Sequence, residues 1–272
     1  MVAAMVPIWS DEEGDVDAPL VALIHGTMDR STGMLRLSRR LDQRFRVLRY
    51  DRRGYGRSVG GDGLGPFDMA AQVGDLFELL AGRRAVLVGH SFGGNVALAA
   101  AARHPDLVAG VAIYEAPLSW EPWWPSDTAG SIATTASVSL AAAAELFMRR
   151  LVGDATWEAL PERTRATRRS EGAALVGELN DLRANRPWSP AEVLCPVVVS
   201  RGSKGTEHHR RGMELVHEWL PSSSMLVLDG CRHDAPMSNS ELFASTVVAA
   251  IVEAAGDPWA AVNRRRAPGA AS

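Results

Sequence analysis

The sequence predicts an α/β fold: a mostly parallel sheet flanked by helices, with a helical insertion. Three observations carry it. Short apolar runs recur along the chain, helical patterns separate them, and one long stretch breaks the alternation. Apolar runs that do not alternate with polar residues mark strands covered on both faces. Strand–helix alternation builds layers of helix on sheet.

Six apolar runs fit such strands. Residues 20–25 (LVALIH) form the first, followed by 46–50 (RVLRY), 85–89 (AVLVG), 110–114 (GVAIY), 196–201 (PVVVSR) and 224–228 (SMLVL). Between them, residues 68–81 place Met69, Val73, Leu76, Phe77 and Leu80 on one helical face, and Gly82 ends the helix. The last helix begins with capping-box spacing at Ser238 and Glu241, and Leu242, Phe243, Val247 and Ile251 form its stripe. Residues 116–194 contain no clear strand and carry the tryptophan-rich SWEPWW and the helical SLAAAAELFMRRL. The organisation is therefore a core of 1–115 and 195–262, a helical cap or lid over 116–194, and a disordered tail at 263–272 (RRRAPGAAS after Asn263).

Composition bounds the function. The chain has 272 residues, enough to bury a sizeable core. Its net charge of -3 provides no strong field for nucleic acid or an anionic membrane. Cys195 and Cys231 make neither a disulfide framework nor a zinc spacing, and no metal site is predicted. The stretch GSKGT lacks the spacing of a nucleotide-binding loop, so no cofactor is implied. The first residues lack a basic start and a long apolar run, and nothing approaches a membrane span. The expectation is a cytoplasmic protein. Oligomeric state is not legible.

Gly89-His90-Ser91-Phe92-Gly93 fits G-x-S-x-G between a strand and a helix. A serine on such a turn sits in strained backbone, and glycines two before and two after it remove clashes. The following helix aims its N-terminal N–H groups at the same spot. Ser91 is the candidate nucleophile. A hydroxyl needs a base, and the base an orienting carboxylate. Of seven histidines, His233 follows the last strand in LDGCRHDAPM, where it can swing over the sheet edge. His25 and His90 are assigned structural roles, and His208, His209 and His217 a polar helical segment.

The chain resembles the α/β-hydrolase fold superfamily over nearly its whole length. His25-Gly26-Thr27-Met28 is similar to the family's HGx oxyanion loop, Asp51 to Ser58 (DRRGYGRS) to its DxRGxGxS turn, GHSFGG to the nucleophile elbow, and Gly230 to Pro236 to GxxHxxP. The resemblance implies the order nucleophile, acid, histidine, and an oxyanion hole of the Thr27 and Phe92 backbone N–H groups. It implies that Asp51 and its arginines fix a loop. The N-terminal lead is short, so the sheet is expected to lack a strand or two of the larger members.

The acid departs from the commoner pattern. The position expected for an aspartate holds Gly205, and Glu207 lies two places on. Glu115 immediately follows the 110–114 run, which resembles family members that carry the carboxylate after that earlier strand. Glu115 and Glu207 are the two candidates, and absence of an acid is the third reading. Met28, Trp120, Trp123 and Trp124 are assigned to a substrate pocket, although the tryptophans would equally serve to pack the insertion onto the core. The function implied is cleavage of a carboxylic ester or related acyl bond in a small molecule. The alternatives are a perhydrolase-like or hydroxynitrile lyase-like enzyme of the same fold, or a small-molecule-binding protein without turnover.

Overall fold

The computed structural model describes residues 8–59, 65–135 and 138–256. The 263–272 tail lies outside the described residues, as do residues 257–262 of the core. Seven strands form one sheet: β1 (Ser10–Glu13), β2 (Leu20–Ile24), β3 (Arg46–Tyr50), β4 (Ala85–His90), β5 (Val108–Tyr114), β6 (Val197–Gly202) and β7 (Ser223–Leu228). Their spatial order is β1-β3-β2-β4-β5-β6-β7. Only β1 runs antiparallel, pairing Ser10 with Tyr50 and Glu13 with Val47. The six parallel strands present all their C-terminal ends on one edge, which is where open α/β sheets place ligands.

Each buried strand divides its side chains between two layers, as the period of two requires. Leu20, Ala22 and Ile24 join a core with helices α2 (Met69–Leu80), α3 (Phe92–Arg103) and α9 (Glu207–Trp219). Val21 and Leu23 join a second core on the other face with α1 (Leu35–Leu41) and with Phe243, Val247 and Ile251 near the chain's end. Burying a Leu, Ile or Val side chain contributes about 1.5–3 kcal/mol, so strands buried on both faces anchor the fold.

Between β5 and β6 lie α4 (Ala129–Thr135), α5 (Leu140–Val152), α6 (Asp154–Ala159), α7 (Glu162–Ser170) and α8 (Gly172–Ala184), with no strand among the described residues. Trp157, Ala174 and Leu175 are buried and belong to the α2–α3 core, so this segment packs onto the sheet's helices.

Helix α2 is capped by Asp68, whose side chain accepts from the Ala71 N–H, and it ends at Ala81 (φ 49°) and Gly82 (φ 75°), both in left-handed backbone. The last helix differs from its expected form. The final helix has no capping box at Ser238. The region is broken into α10 (Ala235–Ser238), α11 (Ser240–Phe243, with Asn239 as its N-cap), a π turn (Ala244–Val248) and α12 (Ala249–Ala255). The π turn adds a residue per turn. Phe243, Val247 and Ile251 are buried, but Leu242 is 39% exposed.

Candidate active site

Two adjacent strands each end in one residue with left-handed backbone. Ser91 follows β4 with φ 54° and ψ -125°, and Glu115 follows β5 with φ 48°. Such conformations cost about 1–3 kcal/mol each and persist only where the surroundings over-determine them. Here they do. A Cβ on Gly89 would stand 2.4 Å from the Gly93 carbonyl oxygen, and one on Gly93 would stand 2.2 Å from that of Ile24. The glycines of the elbow let α3 approach β2 and β4 at backbone contact. Ser91 thereby becomes the N-cap of α3, with Phe92 its first residue.

Glu115 is fully buried. One carboxylate oxygen, Oε1, accepts from the Gly202 N–H at 2.9 Å, and the other, Oε2, lies 2.7 Å from Nδ1 of His233. A Cβ on Gly205 would fall 2.4 Å from Oε1. The Glu115 carboxylate therefore occupies the space that a side chain at 205 would need. Glu207, in contrast, is turned to solvent and pairs with Arg210. The sequence alternatives at this position are thus separated by geometry: Glu115 meets His233, and Glu207 faces outward.

The loop that carries His233 is held from below. Tyr114 Oη donates to the Arg232 carbonyl at 2.7 Å, and His90 Nε2 lies 2.8 Å from the His233 carbonyl. A carbonyl accepts only, so the His90 proton sits on Nε2. Its Nδ1 has no partner, and burial pushes the His90 pKa down to about 3, with the His233 charge adding to this. His90 is a neutral donor that fixes the height of the loop.

His209 was assigned to a polar helical segment, but it stacks on His233 with ring centroids 4.5 Å apart and planes 3° from parallel. Its Nδ1 is 3.4 Å from the same Glu115 Oε2 and 3.0 Å from Thr206 Oγ1. Burial, then the neighbouring histidines, push its pKa well below the ordinary value, so it stays neutral. The sequence signal was available: His209 precedes the buried Met213 and Val216 by four and seven residues, on the inner face of α9. The ligand atoms of Glu115, His209 and His233 lie within 4.8 Å of one another. Two donors on one tetrahedral zinc ion stand about 3.3 Å apart. The 2.7 Å contact of His233 and Glu115 is a hydrogen-bond distance instead.

The loop after β2 carries Thr27. Its preceding carbonyl, Gly26 O, receives His25 Nδ1 at 2.7 Å and Arg52 Nη2 at 3.1 Å. Burial, then the Arg52 charge, push the His25 pKa well below the ordinary value. Neutral His25 accepts the Arg52 N–H at Nε2 (2.9 Å) and so carries its proton at Nδ1. Both donors pull on one side of the Gly26–Thr27 peptide, which turns the Thr27 N–H to the other. Arg52 also lies over the Phe92 ring at 4.7 Å and is fully buried with Glu178 of α8, at 2.7 Å. Glu178 further accepts from Thr27 Oγ1 at 2.7 Å and Tyr55 Oη at 2.8 Å. Burial lowers the Arg52 pKa, but Glu178 more than offsets it and the guanidinium stays charged. Arg168 of α7 donates to the Met28 carbonyl at 2.6 Å. The helical segment thus reaches down to both sides of the Thr27 loop.

Ser91, Thr27 and His233 line one cavity of about 470 Å³, roofed by residues of α4, α5 and α8. Of the four residues assigned to a substrate pocket, Trp124 lines it, its ring meeting His208 edge-on at 4.8 Å. The other three are corrected. Met28 is 2% exposed and packs into the core. Trp120 packs edge-on against Trp188, and Trp123 lies under Arg211. These two tryptophans join the insertion to the core because their ring faces are already occupied by neighbours.

A sequence model described as the alpha/beta hydrolase family matches residues 21–246. The chain belongs to that family. Its seven-stranded, mostly parallel sheet accords with that membership. A 94-residue segment is 38% identical to 2-(acetamidomethylene)succinate hydrolase of Mesorhizobium japonicum, covering 34% of each chain. A 107-residue segment is 33% identical to epoxide hydrolase 3 of Xenopus tropicalis, covering 38% of this chain and 29% of that protein. The matched segments span about a third of these curated relatives. The enol-lactonase of Burkholderia xenovorans LB400 superimposes with a TM-score of 0.68 at 24% identity, over 89% of this chain and 95% of that one, a likeness of fold. Among the described residues no helix is long and apolar enough to cross a membrane.

Proposed function

We propose that the protein is a serine hydrolase that cleaves a carboxylic ester or related acyl bond through a Ser91–His233–Glu115 triad. The observation that carries this reading is the 2.7 Å contact of His233 Nδ1 with the buried Glu115 carboxylate, beside a cavity that Ser91 and Thr27 share with His233. Glu115 accepts a hydrogen bond from the His233 Nδ1–H, which leaves Nε2 unprotonated and free to act as base. Ser91 Oγ attacks the acyl carbonyl as His233 takes its proton, and the carbonyl oxygen becomes an oxyanion. The Thr27 and Phe92 N–H groups receive that charge. His233 then protonates the leaving alcohol, and the acyl group remains on Ser91. Water repeats the sequence and releases the acid.

The helical stretch 116–194 serves in this reading as a lid. Glu178 and Arg168 bring it onto the Thr27 loop, so the lid and the oxyanion donor are braced together. Losing one oxyanion donor costs about 10²–10³ in rate, so this bracing bears directly on turnover.

Labelling by a fluorophosphonate, followed by intact mass, tests the assignment. The natural protein gains one label, Ser91→Ala none, and Glu115→Gln reacts slower by up to about 10⁴-fold, the loss seen for the equivalent carboxylate in a serine protease. Equal labelling of the natural and Glu115→Gln proteins would remove Glu115 from the triad. No labelling of the natural protein would remove the serine-hydrolase reading.

A further inference from the structure

The cavity over Ser91 carries more positive charge than its surroundings balance. Two arginines line it, Arg150 from α5 and Arg183 from α8. Arg150 has a counter-charge. Its Nη2 lies 3.9 Å from the Asp127 carboxylate, and both side chains are more than half exposed, at the mouth. Asp127 is the acidic side chain among the cavity's lining residues, and Arg150 answers it.

Arg183 differs. One guanidinium N–H donates to Thr134 Oγ1. Among the described residues no carboxylate stands within ion-pair distance of it. Burial pulls its pKa below the ordinary value, and no acid offsets the pull. Arg52, deeper in the same protein, shows the contrast, since Glu178 more than compensates its burial. The titratable neighbours do not supply an anion either. His208 and His209 line the cavity, and burial lowers the pKa of both, so they stay neutral. Glu115 lies beneath the cavity with its oxygens taken up by Gly202 and His233.

A partly desolvated guanidinium without a counter-ion is costly to keep. It also holds five donors in a planar fork that fits a carboxylate in bidentate fashion. We infer that the substrate bears a carboxylate that Arg183 binds, on the same small molecule whose acyl carbon Ser91 attacks. This rests on the serine-hydrolase reading and narrows it to anionic esters. One unanswered guanidinium matches a monoanion, and a phosphate dianion would bring a second charge with no partner. The cavity volume equals that of a sphere about 10 Å across, so the carboxylate and the scissile carbonyl stand a short spacer apart. The lining includes the apolar Phe147, Leu151 and Leu179, which suit a methylene chain.

Monomethyl glutarate and methyl pentanoate test this, because they differ only in a carboxylate against a methyl group. The readout is the ratio of their kcat/KM values. The natural protein prefers the glutarate ester. In Arg183→Gln the ratio falls by about 10- to 100-fold, as for loss of a hydrogen-bonded charge pair. Arg183→Lys keeps part of the preference, and Arg150→Gln shifts it less than threefold. A natural ratio of one or below would overturn the inference. So would equal shifts in Arg150→Gln and Arg183→Gln, which would reduce the effect to bulk charge. Calorimetric titration of free pentanoate, a monoanion, separates this from failure of the hydrolase reading. Binding to the natural protein that weakens at least tenfold in Arg183→Gln, and less in Arg183→Lys, upholds the anchor even where no ester is cleaved. Absence of pentanoate binding to the natural protein overturns it.

Discussion

Glu178→Gln perturbs the buried junction where the helical segment meets the oxyanion loop, and the structure sets its size. The side chain is isosteric, so no cavity opens. The carboxylate it replaces holds Arg52 at 2.7 and 3.2 Å and accepts Thr27 Oγ1 and Tyr55 Oη. Both members of the ion pair have no exposed side-chain surface. An amide there places its NH₂ either against the guanidinium or against the two hydroxyls, and in either case leaves the Arg52 charge uncompensated. Removing one partner of a buried pair costs about 3–5 kcal/mol. At about 2–4 °C per kcal/mol for a chain approaching this size, Tm falls by roughly 6–20 °C. Activity responds separately. The Gly26–Thr27 peptide keeps its bonds from Arg52 and His25, but Thr27 Oγ1 loses its charged acceptor on α8, so kcat falls by up to about tenfold, short of the 10²–10³ for a lost oxyanion donor. Far-ultraviolet circular dichroism melts, with kcat and KM measured well below Tm, read both effects. A Tm change under 2 °C with unchanged kcat would refute the argument that this pair braces the oxyanion loop.

Two further predictions follow from the same geometry. His90 has a pKa of about 3 in the folded protein against about 6.5 unfolded, so below pH 6.5 the unfolded chain binds a proton that the folded one refuses. Its contribution is absent above pH 6.5 and destabilises by about 1.4 kcal/mol per pH unit from there down to pH 3. Urea unfolding of His90→Gln, which keeps the donor to the His233 carbonyl, should therefore lose about 2 kcal/mol less than the natural protein between pH 7 and pH 5; parallel curves would show that His90 titrates normally. Glu115→Ala should lower kcat/KM by about 10⁴, and adding Gly205→Asp should recover tenfold or more, because position 205 abuts the vacated carboxylate site and its backbone lies outside the left-handed region. No recovery would mean that a carboxylate at 205 cannot orient His233.

How far the sequence could be read depended on what each element must bury. Five of the six parallel strands announced themselves because both faces are covered; β7 is partly exposed, with Val227 on the surface, and was read from its apolar run, and the observed bounds of all six differ from the expected ones by no more than two residues. Strand β1 was missed because it is an edge strand made of Ser-Asp-Glu-Glu. Its acids are satisfied by Arg46, Arg49 and Arg83 and give no hydrophobic signal. Ser91 was legible because its strain demands glycines at fixed offsets, and close contact enforces them. His209, Arg183 and Glu178 were not singled out. Each sits on a helix whose pattern shows a buried face, yet nothing local to the chain says what lies opposite. Glu178 reads as one more helical glutamate until Arg52 arrives from a distance of 126 residues.

The placement of Glu115 follows from the sheet itself. In the β4–β5 ladder His90 pairs with Tyr114, so Ser91 and Glu115 are the next pair of positions along two neighbouring strands. Backbone pairing continues past the strand ends: the Ser91 N–H donates to Tyr114 O at 2.9 Å, and the Glu115 N–H to Ser200 O at 3.0 Å. Both residues then turn away with positive φ. The two side chains are therefore registered to each other by the ladder rather than by loops, and only His233 depends on a loop. That loop is the part the protein clamps, through His90 from β4 and Tyr114 from β5. The residues that precede Ser91 and Glu115 in sequence thus hold the histidine that both must reach. Loosening either clamp should displace His233 while leaving Ser91 and Glu115 in place.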